Sequence, residues 1–259
     1  MDIDLTGKRA MVCGSTSGIG LASARELAGL GASLTLLARN EEKLEEVRSA
    51  LGSGDHYCFA ADFTDPDAVE SAAKRAVGEA GTHHILVNNT GGPPGGRAVD
   101  ADPDEYVRAF NAHLVCNQHL VRALVPGMRD AGYGRVVNII STSVKAPIPN
   151  LGVSNTIRGA VAGWAKTLAS ELGPDGITVN NVLPGFTDTE RLTELFKAKA
   201  ERLGRTLEQI REEAIASIPA RRLAKPEETA TAVAFLASPG ASYINGSNLP
   251  VDGGRLQSL

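Results

Sequence analysis

The segment Arg9-Ala10-Met11-Val12-Cys13-Gly14-Ser15-Thr16-Ser17-Gly18-Ile19-Gly20 decides how the rest of this chain is read. A short apolar run, Ala10–Cys13, stops at Gly14. A loop of small residues follows, and Gly18-Ile19-Gly20 opens an amphipathic stretch over Leu21–Leu30. That order is strand, tight turn, helix. Glycines at 14, 18 and 20 let backbone N–H groups approach a ligand with no Cβ in the way, and the helix start behind them offers unpaired donors and a positive dipole end, which suits a pyrophosphate. The spacing is Gly-x-x-x-Gly-x-Gly rather than the Gly-x-Gly-x-x-Gly fingerprint. Small-residue loops also occur as plain turns, but the position directly after a first strand favours a dinucleotide cradle built from Gly14, Ser15, Ser17, Gly18, Ile19 and Gly20.

At 259 residues the chain fits one α/β domain, and a hydrophobic content of 42% supplies a large core. Basic residues (26) are outnumbered by acidic ones (30) and form no block, which argues against a nucleic-acid partner. Cys13, Cys58 and Cys116 are isolated and lack metal-ligand spacing, so buried thiols in a reducing compartment are expected and no metal site is. The N-terminus carries acids where a signal peptide has basic residues, and no apolar run reaches membrane-spanning length. The expectation is a soluble cytoplasmic protein.

Strand-like and helix-like patches alternate along the chain. Strands are expected at Ser33–Ala38, His56–Ala60, His84–Val87, Gly134–Ile140, Gly176–Val182 and Ser247–Val251. Helices are expected at Glu41–Leu51, Asp65–Ala80, from Asp102-Pro103 to about Met128, Val153–Leu172 and Lys225–Ala237. Nearly continuous apolar strands between helices mean a three-layer, doubly wound parallel sheet, with the ligand along the edge formed by the strand C-termini. One segment, about 187–222, breaks the rhythm with two polar helices, Glu190–Leu203 and Thr206–Ile218. Their apolar positions (Leu192, Leu195, Phe196, Leu207, Ile210) look too sparse for core, and a lid over the ligand edge is favoured over a surface or subunit-contact insertion.

The chain resembles the short-chain dehydrogenase/reductase family along essentially its whole length. The residues that carry the likeness are Cys13–Gly20, Asp62, Asn88-Asn89-Thr90-Gly91, Asn111, Val137–Ser141, Pro184-Gly185 and Val251-Asp252-Gly253-Gly254. Cys13 and Thr90 depart from the family's usual Thr and Ala. The resemblance implies a single Rossmann domain over residues 1–259 and reversible hydride transfer between a nicotinamide cofactor and a carbonyl or hydroxyl substrate. It also implies that Asp62 and Phe63 lie beside the adenine, that Asn89 and Gly91 line the ribose, and that Thr189 meets the nicotinamide amide after the Pro184-Gly185 turn. The second strand ends in Ala38-Arg39-Asn40 instead of an acid, which favours NADP over NAD, because Arg39 can pair with a 2′-phosphate that an acid would repel. The other reading of Arg39 is one more solvated charge.

The family's reaction centre is Ser, Tyr thirteen residues on and Lys four further, helped by an Asn. Ser141 and Asn111 fit their places, but the Tyr position holds Ser154 and the Lys position Arg158. Both still share a helix face. Arg158 can anchor ribose hydroxyls or polarise an oxygen but cannot shuttle a proton, and a serine without a base is a poor acid. His113, two residues past Asn111, is expected to face elsewhere, packed or exposed. Lys145 is either a proton source in the loop over the site or a solvated lysine.

Two readings follow. One is an NADP(H)-dependent oxidoreductase in which water held by Ser141, Ser154 and Arg158 replaces the phenol. The other is a cofactor-binding but silent sensor or partner protein. Convergent polar groups lean toward the first. Ile148, Pro149, Leu151 and Phe186 suggest an apolar wall, Arg97 and Lys145 possible anchors for an acidic substrate, and Thr90–Gly96 either the opposite wall or a plain rigid turn. Many family members with this C-terminal pattern resemble 3-oxoacyl-[acyl-carrier-protein] reductases. By the same resemblance, helices Asp104–Arg129 and Val153–Leu172 would pack against copies of themselves in a homodimer or homotetramer, with Trp164 and Leu168 at the contact.

Overall fold

Seven short runs rich in Val, Leu and Ile become strands of one parallel sheet in the computed structural model, which describes residues 1–52 and 54–258. They are β1 (Arg9–Cys13), β2 (Ser33–Ala38), β3 (Tyr57–Ala60), β4 (Ile85–Asn88), β5 (Gly134–Ile139), β6 (Ile177–Pro184) and β7 (Asn248–Val251). Their order is β3-β2-β1-β4-β5-β6-β7, so the chain reverses direction across the sheet between β1 and β4. Ligands of doubly wound sheets bind outside the strand ends at this switch point.

The helices are α1 (Gly18–Gly29), α2 (Glu41–Ala50), α3 (Pro66–Ala80), α4 (Pro103–Phe110), α5 (Cys116–Asp130), α6 (Gly152–Leu172), α7 (Glu190–Leu203), α8 (Leu207–Ala216) and α9 (Pro226–Ala237). One face of the sheet is covered by Leu27 of α1, Leu44 of α2 and Val233 of α9, the other by Val69 of α3, Leu120 of α5 and Ala165 of α6. Both faces being apolar explains why the strands read as unbroken hydrophobic runs. Cys13 and Cys116 are buried as expected, whereas Cys58 is only half-buried, because β3 is an edge strand with one flank open.

Two expectations need correcting. The helix expected from Asp102-Pro103 to about Met128 is interrupted. Asp102 and Glu105 form a capping box at its start, but residues Asn111–Val115 wind as a π-helical turn before α5 resumes. Such turns insert an extra residue and recur at functional sites. The polar insertion also has more interior than its sequence suggests. Leu192, Phe196 and Ala200 of α7 pack on Ile210 and Ala214 of α8, with Ile218 and Leu223, as a small core of their own. The apolar residues are few, but all fall on the facing sides of two short helices.

A row of asparagines crosses the buried sheet. Asn88, Asn138, Asn181 and Asn248 are in register on β4 to β7, and each side-chain amide donates to the oxygen of the next at 2.8, 2.9 and 2.8 Å. Buried amides are tolerated only when paired in this way. Asn138→Ala removes the middle of the row and leaves the Asn88 amide donor and the Asn181 oxygen without these partners. The expected loss is about 2–4 kcal/mol of stability, measured as a lowered urea midpoint with an unchanged m value.

Candidate active site

The turn after β1 is shaped by what cannot fit in it. Gly14 and Gly18 have φ of +58° and +52°, a conformation L side chains avoid. A Cβ on Gly20 would lie 2.1 Å from the Gly14 carbonyl oxygen, and one on Gly14 would lie 2.7 Å from Asn89 Nδ2. That same Asn89 amide donates to the carbonyls of Cys13 (3.2 Å) and Gly14 (3.4 Å), tying the end of β4 to the turn. Asn89 therefore braces the loop. Ser17 precedes α1 in an extended conformation without capping the helix through its side chain, which leaves the first donors of α1 open. Ser15 is fully buried, and its hydroxyl has no partner among the described residues. Thr189, which caps α7, lies over the other side of the turn, its methyl 3.2 Å from where a Gly18 Cβ would sit. A cradle with open helix donors and an unpartnered buried hydroxyl fits a diphosphate.

Around this cradle, Arg39 projects exposed from the end of β2 and makes no ion pair among the described residues, while the neighbouring Asn40 caps α2 through Lys43 N–H at 2.8 Å. Asp62 follows β3 and accepts from Thr64 N–H at 2.9 Å; Phe63 beside it is buried. Ile19 packs against the α1 side of the core. Pro184 ends β6, and Gly185 turns so tightly that a Cβ would come within 2.8 Å of Asp252. Gly91 opens the exposed loop after β4.

The second cluster lies where β5 meets α6. Ser141 follows β5, and its hydroxyl oxygen accepts from Ser143 N–H at 3.0 Å, which leaves its proton free to donate. Ser154 lies half-buried in the first turn of α6. One turn on, Arg158 is 9% exposed and donates to the Ile139 carbonyl at 3.0 Å. Burial, with Arg191 adding to it, lowers its pKa to about 10, so the guanidinium remains charged at neutral pH. Asn111 sits at the first position of the π-helical turn.

Two more residues lie at this cluster: His113, to which the sequence gives only a packed or exposed role, and Arg191, which it does not single out. His113 is buried and lines a closed polar cavity of about 10 Å³ with Asn88, Asn117, Asn138 and Arg158, room for about one water. From sequence His113 is expected to face away from Asn111, packed or exposed; it is packed, and Asn111 is not among the residues that line its cavity. Arg191 in the first turn of α7 donates to the carbonyls of Gly92 (3.1 Å) and Pro93 (2.7 Å), pinning the insertion to the loop after β4. In sequence it is one of many charges in a polar helix. By contrast, Arg97 pairs with Asp100 on the surface and Lys145 is exposed.

Among known proteins, a family model described as enoyl-(acyl carrier protein) reductase matches residues 14–255. The chain is 34% identical over 254 residues to 3-oxoacyl-[acyl-carrier-protein] reductase FabG of Vibrio cholerae, covering 97% of this chain and 98% of that protein. The crystal structure of L-sorbose reductase from Gluconobacter frateurii, complexed with NADPH and L-sorbose, superposes with a TM-score of 0.94 at 32% identity over 100% of both chains. An NADPH-bound short chain oxidoreductase from Pseudomonas aeruginosa PAO1, described as containing an atypical catalytic center, superposes with a TM-score of 0.88 at 28% identity over 99% of both.

Burial holds the His113 ring well below the usual 6.5, with the Arg158 charge adding to the effect and the Gly91 carbonyl opposing it. The folded protein therefore binds this proton more weakly than the unfolded chain. Stability from the group is complete above pH 6.5 and is lost as the pH falls below it. His83, lowered to about 4 mainly by burial, acts over the same window. Nitrogen-15 NMR of the imidazole rings should find His113 neutral at pH 6, and His113→Gln should flatten the acid limb of stability without removing the His83 share.

Proposed function

The chain belongs to the short-chain dehydrogenase/reductase family, and on that premise we propose that it is an NADPH-dependent oxidoreductase acting on a carbonyl substrate with an altered proton-transfer group. The observation that carries this reading is the cradle itself: glycines at which a Cβ would overlap backbone, open α1 donors and the unpartnered Ser15 hydroxyl. The NADPH complexes of the sorbose reductase and the Pseudomonas oxidoreductase support the choice of nucleotide, as does the free Arg39 at the end of β2, a position suited to a 2′-phosphate. When bound, the reduced nicotinamide supplies the hydride.

The residues of the chain would do the rest. Asn89 and Gly185 hold the cradle and the turn opposite it in shape; Thr189 closes over the turn. Ser141, with its oxygen already accepting, donates its hydroxyl proton toward the substrate oxygen. Arg158 polarises that oxygen and holds ribose hydroxyls but keeps its own proton. Ser154 has neither the acidity nor a base to act alone, so water beside Ser141, Ser154 and Arg158 delivers the proton. Asn111 and the π-helical turn shape the wall behind it. Val107 and Phe110, apolar and exposed on α4, support assembly of copies through α4, α5 and α6 into a dimer or tetramer.

The test is NADPH binding followed by NADPH oxidation over a carbonyl panel. Submicromolar to micromolar binding with slow turnover is expected, with Ser141→Ala lowering kcat about 10–100-fold and the Ser154→Tyr/Arg158→Lys double variant raising it. Arg39→Asp should weaken NADPH by about tenfold or more and improve NADH. Tight binding with no turnover in either protein would leave the silent cofactor-binding reading in its place; no binding of either nucleotide would end both.

A further inference from the structure

Arg158 is a buried cation without a counter-charge. A guanidinium carries five N–H donors; this one is 9% exposed, has the Ile139 carbonyl as its hydrogen-bond partner, and has no acid within 4 Å among the described residues. A second guanidinium stands beside it. The terminal nitrogens of Arg158 and Arg191 lie 3.7 and 3.9 Å from the point a Gly92 Cβ would occupy, and the Arg191 charge is felt at Arg158. Among the described residues the one acid within 4 Å of Arg191 is Glu194 at 3.7 Å, itself mostly in solvent. Two like charges gathered at the mouth of a site, one of them out of water, are stabilised by an anion and by little else. A water in the cavity or the ribose hydroxyls of a bound nucleotide would satisfy donors but bring no charge.

We propose that Arg158 and Arg191 form a carboxylate site beside Gly92, so that the substrate is an oxo acid whose carbonyl reaches Ser141 while its carboxylate bridges α6 and the first turn of α7. The assignment rests on the oxidoreductase reading and names its substrate class. Planar, forked donors suit a carboxylate better than an ammonium does. Arg158 keeps donors beyond the one on Ile139, and Arg191 keeps Nε, with Nη1 held only by the long contact to Glu194, beyond the Nη2 pair on Gly92 and Pro93. Because Arg191 belongs to the insertion and already holds the loop after β4, carboxylate binding also fastens the insertion over the site.

The experiment compares pairs of probes that differ by the acid group, 2-oxobutanoate with 2-butanone and benzoylformate with acetophenone. Binding is measured by calorimetry on the free protein and on its NADP⁺ complex, in which no hydride is available. The expected result is binding of the acid about tenfold or more tighter than that of the ketone in at least one pair. Arg191→Gln should abolish the difference, Arg191→Lys should restore part of it, and NADPH affinity should stay within about twofold throughout. No preference for the acid in either pair overturns the proposal. So does an Arg191→Gln variant that weakens NADPH but not the oxo acid, since Arg191 would then serve a cofactor phosphate. Failure of the oxidoreductase reading looks different: no nucleotide binds at all.

Discussion

The close approach of α1 to the end of β1 is the constraint from which the rest of the molecule follows. A Cβ at position 20 would sit 2.1 Å from the Gly14 carbonyl, so the helix can start this near the strand only on glycine. That contact points the open end of α1 into the switch point between β1 and β4. Asn89 reaches across from β4 to the same carbonyl, and Thr189 arrives from beyond β6 to cover Gly18. Segments nearly the whole chain apart are thereby drawn to a single loop, and the remaining site residues line up along the same sheet edge.

Most of this architecture is legible in the residues. Apolar runs between capped helices are a local signal, and Asp65-Pro66, Asp102-Pro103 and Lys225-Pro226 each mark a helix start that the structure keeps. What cannot be read is whatever depends on partners distant in sequence. The asparagines at 88, 138, 181 and 248 look like unrelated polar residues in four strands until register sets them side by side. The π-helical turn at Asn111 leaves no compositional trace. The insertion reads as too polar because its interior is shared between two helices, each supplying only a few of the buried side chains. Spacing alone singles out Ser141, Ser154 and Arg158 as candidates; it does not single out Arg191, because its position beside Gly92 is made by a loop that closes 99 residues away.

On the proposed reading, a hydroxyl and a guanidinium stand in for a phenol and an ammonium, and that exchange would change more than proton transfer. An ammonium at the Arg158 position can lose its proton when buried; a guanidinium, even brought down to about 10, does not. The Arg158 charge is thus fixed across the physiological range, and under the proposed function orientation and polarisation, with solvent as the proton carrier, would carry the reaction. A fixed charge also makes the centre selective, since a substrate that does not answer it leaves a desolvated cation behind.

The asparagine row has an electrical sense as well as a structural one. The amides of Asn88, Asn138 and Asn181 all donate in the same direction, from β4 toward β7, so each of their carbonyl ends faces back toward β4. The unanswered oxygen is that of Asn88, which lines the same cavity as Arg158. Three aligned side-chain dipoles therefore present their negative pole to the cavity beside Arg158. The sheet acts there as a weak, permanent electrode: it offsets a fraction of the guanidinium charge without supplying a base that could take its proton.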